Sequence, residues 1–328
     1  MTRTSPARET GFLPAHDTGH TPYVGSGPYC YAHSLAMMLG PDAPPPAVVE
    51  TLTGSAFGVG LVGGTLPFFD PYGWDPEVGL DDAVDLLGWT CARVSGGTHE
   101  EAQDRLRASC AEGPVLVGPV DMGLLLHQPG TPAAYGGSGD HYVVALAVEG
   151  DTVLFHDPHG HPYATLPLRE FVVAWRAESV PYTDTPYVQR TRFARRREVT
   201  DEQALRASLP GAAAWLAGRT DRPMPAGSLG GAAALEELAA WVDRGLDPGV
   251  RAHLAHFAIR LGARRLGDAA DCLARLSLGE ASAAASWLAR GIGALQYPVV
   301  TGDDRVTSAA LRELAPGYER LRRALSEC

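Results

Sequence analysis

Apolar positions along the chain change their period near residue 197. Upstream, short apolar runs are broken by Gly and Pro. Downstream, Ala and Leu recur at helical spacing. After an irregular lead-in over residues 1–22, Ala32, Leu35, Ala36 and Leu39 fall on one helical face, which predicts a helix opening at Cys30. Pro44-Pro45-Pro46 ends that region, and Pro46 opens a second helix over 47–52, where its missing N–H is no loss. Residues 54–79 are rich in Gly, Pro and aromatics (Phe57, Phe68, Phe69, Tyr72, Trp74) and read as a long ordered loop, packed on itself or lining a substrate groove.

A short helix is expected over 80–87, with Asp81 and Asp82 in its first turn near the positive end of the dipole. Trp89 to Val94 reads as a strand. Thr98 to Ala111 reads as an amphipathic helix with Ala102, Leu106 and Cys110 on one face. Pro114 to Val120 is an apolar strand, and residues 142–148 and 152–156 form a hairpin around Glu149-Gly150-Asp151. Phe171 to Trp175 suits a strand or a short helix. Beyond Arg197, helices are expected over 201–209, 231–244, 250–266, 267–276, 280–289 and 308–325, separated by Gly and Pro. The pattern divides the chain into an α+β domain over 1–195 and an all-helical domain over 196–328.

Composition narrows the function classes. The formal net charge is −11 and there is no lysine. The one basic run, Arg192 to Arg197, reads as a solvated linker or a local clamp for an anion. Nucleic-acid binding is not expected, because phosphate contacts need a concentrated positive face. Met1 to Pro14 lacks the apolar core of a signal peptide. No stretch approaches the run of about 20 apolar residues that spans a bilayer. The five cysteines are widely spaced with no Cys-x-x-Cys, against a disulfide framework or structural zinc site and in favour of a cytoplasmic protein. The Ala/Leu-rich second half offers a surface for a homodimer.

Cys30 is the candidate nucleophile. A turn, Gly25 to Tyr29, feeds the helix it opens. Unpaired N–H groups and the positive end of the macrodipole favour a thiolate at such a position. His141 precedes an apolar strand and could take and return the thiol proton. Asp157 stands 16 residues later at the end of the return strand, where a carboxylate could fix the imidazole tautomer. Each has a plainer reading: a packed thiol, a strand-end histidine, and a turn-starting Asp-Pro. Cys91, Cys110, Cys272 and Cys328 lack this context and read as structural. His156, His159 and His161 flank a turn without the helical His-Glu-x-x-His arrangement, so no metal is expected. His33, one turn after Cys30, could tune the thiolate or touch substrate.

Three blocks in order carry a resemblance: Pro28-Tyr29-Cys30 opening a helix; Pro114 to Asp121; and Asp140-His141-Tyr142-Val143-Val144 through Val153 to Pro158. The chain resembles the butirosin biosynthesis protein H family, a branch of papain-like cysteine enzymes close to the peptidases that remove double-glycine leaders. The helical half, with Arg251 to Leu276 and Trp287-Leu288-Ala289, resembles the domain that often follows. The resemblance spans most of residues 20–325. It implies a papain-like fold followed by an all-α domain, and a Cys-His-Asp triad of Cys30, His141 and Asp157. It implies acyl transfer from the thioester of a phosphopantetheine acyl carrier protein, through the thiol, to a small-molecule amine, with no further cofactor. Asp121 matches the family's aspartate after the central strand and is expected near the cleft.

The chain departs from papain-like peptidases in lacking a glutamine shortly before the cysteine, where one would serve as an oxyanion donor. The Cys30 N–H, with Tyr23, Ser26 or another backbone amide, would have to replace it, and Tyr29 stands beside them as a substrate-side candidate. Losing one such donor costs about 10²–10³ in rate. A thioester is more activated than an amide, so the departure fits acyl transfer better than proteolysis. A hydrolase of the same fold (peptidase or thioesterase) and a non-catalytic binding protein with a relic cleft are the alternatives.

Overall fold

The structure is a computed structural model and describes residues 28–129, 139–219 and 221–326. Tyr23, Ser26 and Cys328 lie outside the described residues. In chain order the helices and strands are α1 (Cys30–Leu39), α2 (Pro46–Leu52), β1 (Gly60–Val62), β2 (Leu66–Phe68), α3 (Pro76–Leu86), β3 (Trp89–Val94), α4 (His99–Glu112), β4 (Val115–Asp121), β5 (Asp140–Glu149), β6 (Thr152–Asp157), β7 (His161–Pro167), α5 (Leu168–Trp175) and β8 (Gln189–Arg195). They continue as α6 (Asp201–Ala217), β9 (Leu229–Gly230), α7 (Gly231–Asp243), α8 (Pro248–His253), α9 (Ile259–Arg275), α10 (Gly279–Ala294), α11 (Gln296–Thr301) and α12 (Asp304–Ser326). The class is α+β, with antiparallel sheets. Among the described residues no helix is long and apolar enough to cross a membrane.

Two compact units divide these elements, and not by one cut at residue 195. One unit holds residues 28–55 and 75–208; the other holds 56–74 and 209 onward. Residues 56–74 join the helical unit because the expected loop contains a hairpin. β1 pairs with β2, and on its other edge with β9, Leu61 opposite Leu229. A ladder joining residues so far apart leaves no periodic trace in the sequence. Within the same unit, Phe69 packs where Gly262 of α9 leaves room for its ring.

The other unit carries a six-stranded sheet in the order β3-β8-β4-β5-β6-β7. Val143 and Ala145 of β5 enter a core with Ala102 and Leu106 of α4 and Phe171 and Trp175 of α5. Tyr142, one position before Val143, faces the opposite side by the alternation of strand side chains. There its ring meets Tyr31 of α1 edge-on at 6.0 Å. Ser34 of α1 also donates to the Tyr142 carbonyl at 3.2 Å. A buried chain anchors that tyrosine: its hydroxyl donates to Glu77 at 3.0 Å, and Glu77 accepts from Arg190 at 2.8 Å.

Several expected elements shift, each for a local reason. The helix expected over 80–87 begins a turn earlier at Pro76, because Asp75 accepts from the Val78 N–H at 3.0 Å and Pro occupies the first turn. Asp81 and Asp82 are therefore mid-helix. Thr98 and Glu101 form a reciprocal capping box at the start of α4. Phe171 to Trp175 is helical, and His161–Pro167 is a strand that turn-like His and Pro residues concealed. Residues 192–195 belong to β8 rather than to a linker. Their charges are met internally: Arg192 by Glu112 and Arg195 by Asp42 and Glu198. Helix α9 runs through Gly267, because the buried face of Leu266, Ala269, Ala270 and Leu273 continues across it.

Gly118 of β4 lies directly under Tyr142: a Cβ there would sit 2.3 Å from the ring carbon Cδ1. The ring is held at its hydroxyl and edge and has no room to yield. Gly118→Ala should destabilise the protein by about 1–3 kcal/mol in urea unfolding. Gly211→Ala in α6, where a Cβ meets open space, should be neutral or gain up to about 1 kcal/mol.

Candidate active site

Cys30 is the first residue of α1. Tyr29 precedes it with φ −95° and ψ 50°, which stops the helix from extending backwards. Asp75 and Thr98 cap α3 and α4, but Tyr29 places no side-chain oxygen over the first turn of α1. The N–H groups beside Cys30 keep the partial positive charge of an uncapped N-terminus. Cys30 is half-buried and free. Cys91 and Cys110 are free too, and burial pushes their thiols up, that of Cys110 to about 11. Cys272 is buried in α9.

The β5–β6 hairpin brings the other two residues together. Its two-residue turn has Gly150 at φ +55°, in the left-handed region such turns demand. The ladder pairs Val144 with His156, so Asp157 comes level with Val143 and diagonal to His141. His141 Nε2 and Asp157 Oδ1 are 2.7 Å apart, and the two residues are only 3% and 2% exposed. The Cys30 side chain lies close enough to the imidazole to bear on its charge. With Nε2 committed to Asp157, Nδ1 is the nitrogen left for sulfur.

Burial opposes charging His141, but its hydrogen bonds with Asp157 and Cys30 and their negative charges prevail, raising its pKa to about 10. Burial likewise opposes ionising Asp157. Hydrogen bonds from His127 and His141, the His141 charge and the His159 N–H prevail there, holding the carboxyl well below the usual carboxylate range.

Two of these partners escaped sequence reasoning. His127 Nε2 lies 2.8 Å from Asp157 Oδ2, and Gln128 Nε2 donates to the same oxygen at 2.8 Å. The His159 N–H donates to Oδ1 at 2.7 Å. His127 and Gln128 lie outside helix and strand, so no periodicity singled them out. The nearest signal was Asp121. It is not among the hydrogen-bond partners of Asp157; it caps the turn Met122–Leu124 by accepting from the Gly123 N–H at 3.0 Å and from Ser179 Oγ. That turn leads the chain to His127.

The remaining candidates separate. Tyr29 is fully buried, with its ring 6.2 Å from that of His33. His33 lines an open groove of about 640 Å³ with Ala36, Met37, Pro44, Pro46 and Pro158. Pro158 ties the groove to the neighbour of Asp157. The three turn histidines diverge: His156 Nδ1 accepts from the Tyr163 N–H at 3.1 Å, and the His161 ring meets His127 edge-on at 5.2 Å. Among the described residues no group of three His, Cys, Asp or Glu is arranged to hold a metal ion.

Residues 225–326 match the family described as the YobF C-terminal domain. The chain is also 33% identical over 168 residues to "Uncharacterized protein YobF" of Bacillus subtilis (strain 168), an alignment covering 49% of this chain and 52% of that protein. The chain thus spans about half the length of the curated relative it matches.

These two shifted groups each make stability depend on pH. His141 is raised from 6.5, so its contribution is complete below that value and is lost as pH rises through about 10. Asp157 is depressed from 3.8, so its contribution is present above that value and is lost as pH falls. Urea unfolding should show wild-type stability declining between pH 7 and 9. His141→Gln should lower stability by about 1–3 kcal/mol at pH 7 and flatten that decline. An unchanged slope in the variant would contradict the assigned coupling.

Proposed function

We propose that the chain is a cysteine-dependent acyltransferase of papain-like architecture, moving an acyl group from a carrier-protein thioester to an amine. The observation that carries this reading is the His141 ring, hydrogen-bonded to a buried carboxylate and interacting electrostatically with Cys30. A relic cleft has no use for that connection. The start of α1 supports it, because no Tyr29 side-chain cap competes there for the N–H groups that could meet an oxyanion.

The reaction runs in two halves. Cys30 Sγ attacks the thioester carbonyl, and the carbonyl oxygen takes negative charge. The tetrahedral intermediate expels the carrier thiol, which receives a proton from His141, leaving a Cys30 thioester. The amine then attacks that carbonyl, His141 accepts the ammonium proton, and Cys30 leaves as the amide forms. Asp157 keeps the imidazole oriented in both halves. The apolar groove beside His33 and Met37 suits the acyl portion of the donor. Gln128 does not stand in for the missing oxyanion glutamine, because its amide nitrogen donates to Asp157. That favours an activated thioester over a peptide bond as substrate.

Intact-protein mass spectrometry with acyl-pantetheine thioesters should show one acyl adduct on wild-type protein. The adduct should be lost in Cys30→Ala and formed at least about 10²-fold more slowly in His141→Gln. Adding amines should discharge it as amide. Discharge only to free acid with every amine tried would establish the hydrolase reading, and no adduct with any thioester would overturn both.

A further inference from the structure

We propose that His127 and Gln128 are positioning residues that act on His141 through Asp157, making the site a four-residue relay onto the nucleophile rather than a triad. This inference rests on the proposed role of Cys30 and His141.

Each oxygen of Asp157 has its own donors. Oδ1 takes His141 Nε2 at 2.7 Å and the His159 N–H at 2.7 Å; Oδ2 takes His127 Nε2 and Gln128 Nε2, both at 2.8 Å. A carboxylate bonded only through Oδ1 could turn about its Cβ–Cγ bond. Donors on Oδ2 remove that freedom, and with it the freedom of the His141 ring. His127 is itself fixed: its ring meets Phe155 edge-on at 4.9 Å and His161 at 5.2 Å. Its Nδ1 is buried with no hydrogen-bond partner among the described residues. A buried imidazole that leaves one nitrogen unused is an expensive way to fill space. A side chain kept for packing alone would be apolar. Asp121 and Ser179 fix the turn that delivers this pair. The titratable groups facing Asp157 are His141 from β5, His127 from the segment after that turn, and, beyond them, Cys30, with the His159 and His161 rings beside the two histidines.

The test is the rate of Cys30 carbamidomethylation by iodoacetamide on the full chain, read by peptide mass spectrometry between pH 6 and pH 10. At pH 6 sulfur depends on the oriented imidazolium; at pH 10 it does not. His127→Leu should slow labelling about tenfold at pH 6 and less than about twofold at pH 10. Gln128→Leu should act in the same direction. His127→Gln places an amide nitrogen where Nε2 lay and should restore labelling at pH 6, whereas His127→Asn, whose amide falls short, should not. A wild-type pH profile in His127→Leu overturns the inference. So does equal slowing at every pH with no advantage of Gln over Asn, which marks a merely structural residue. If His141→Gln labels at pH 6 as fast as wild type, the role of Cys30 and His141 fails and the relay falls with it.

Discussion

The ionised carboxylate of Asp157 is the constraint around which this unit is organised. A negative charge removed from water costs several kcal/mol unless its oxygens are met by donors. Here they are met four times, from β5, from the segment after the Asp121 turn and from the turn after β6. None of these segments could shift without uncovering the charge. The hairpin register must place residue 157 diagonal to residue 141, and the chain after β4 must turn back towards the hairpin. Holding one imidazole against this carboxylate is thus a folding requirement on the chain from Asp121 to His159.

Cys30 comes to the same point by a separate route. Helix α1 is seated on β5 through Tyr31 and Ser34, both against Tyr142, the residue after His141. Tyr142 is fixed from below by Gly118 and at its hydroxyl by Glu77, which Arg190 holds in turn. Arg190 is fully buried and also bonds Asp81 at 2.8 Å. This ion pair therefore positions rather than stabilises: buried pairs return little net free energy. It sets the height of a tyrosine that follows His141 in β5 and seats the Cys30 helix.

What the sequence made legible follows from range. Cys30 at a helix start, the β5–β6 hairpin and the amphipathic helix from Thr98 depend on residues a few positions apart, and their patterns were readable. His141 and Asp157 could be joined because one short turn separates their strands. His127, Gln128 and Arg190 were not readable, because their partners lie 30, 29 and 113 residues away and their own segments show no periodicity. The β1–β2 hairpin stayed hidden for the same reason: its short strands gain meaning only beside Leu229. The basic run at 192–197 misled because charge was read without neighbours; Arg195 lies over the Trp89 ring and Arg192 against Glu112.

The absence of a side-chain cap on α1 completes the logic. In α3 and α4, Asp75 and Thr98 occupy the first N–H groups, which stabilises a helix by about 1 kcal/mol. The same cap at position 29 would spend, on a fixed oxygen, the donors that an acyl oxygen needs only transiently. Tyrosine at that position cannot reach back to them and is instead buried beneath the helix. Helices α2, α5, α7 and α10 also start without a side-chain cap, so the start of α1 differs from theirs in carrying a free thiol rather than in lacking a cap. With no upstream glutamine and with Gln128 turned to Asp157, backbone amides supply the oxyanion donors under the proposed reaction. Such a site suits an acyl group already activated as a thioester, where less of the barrier remains to be lowered.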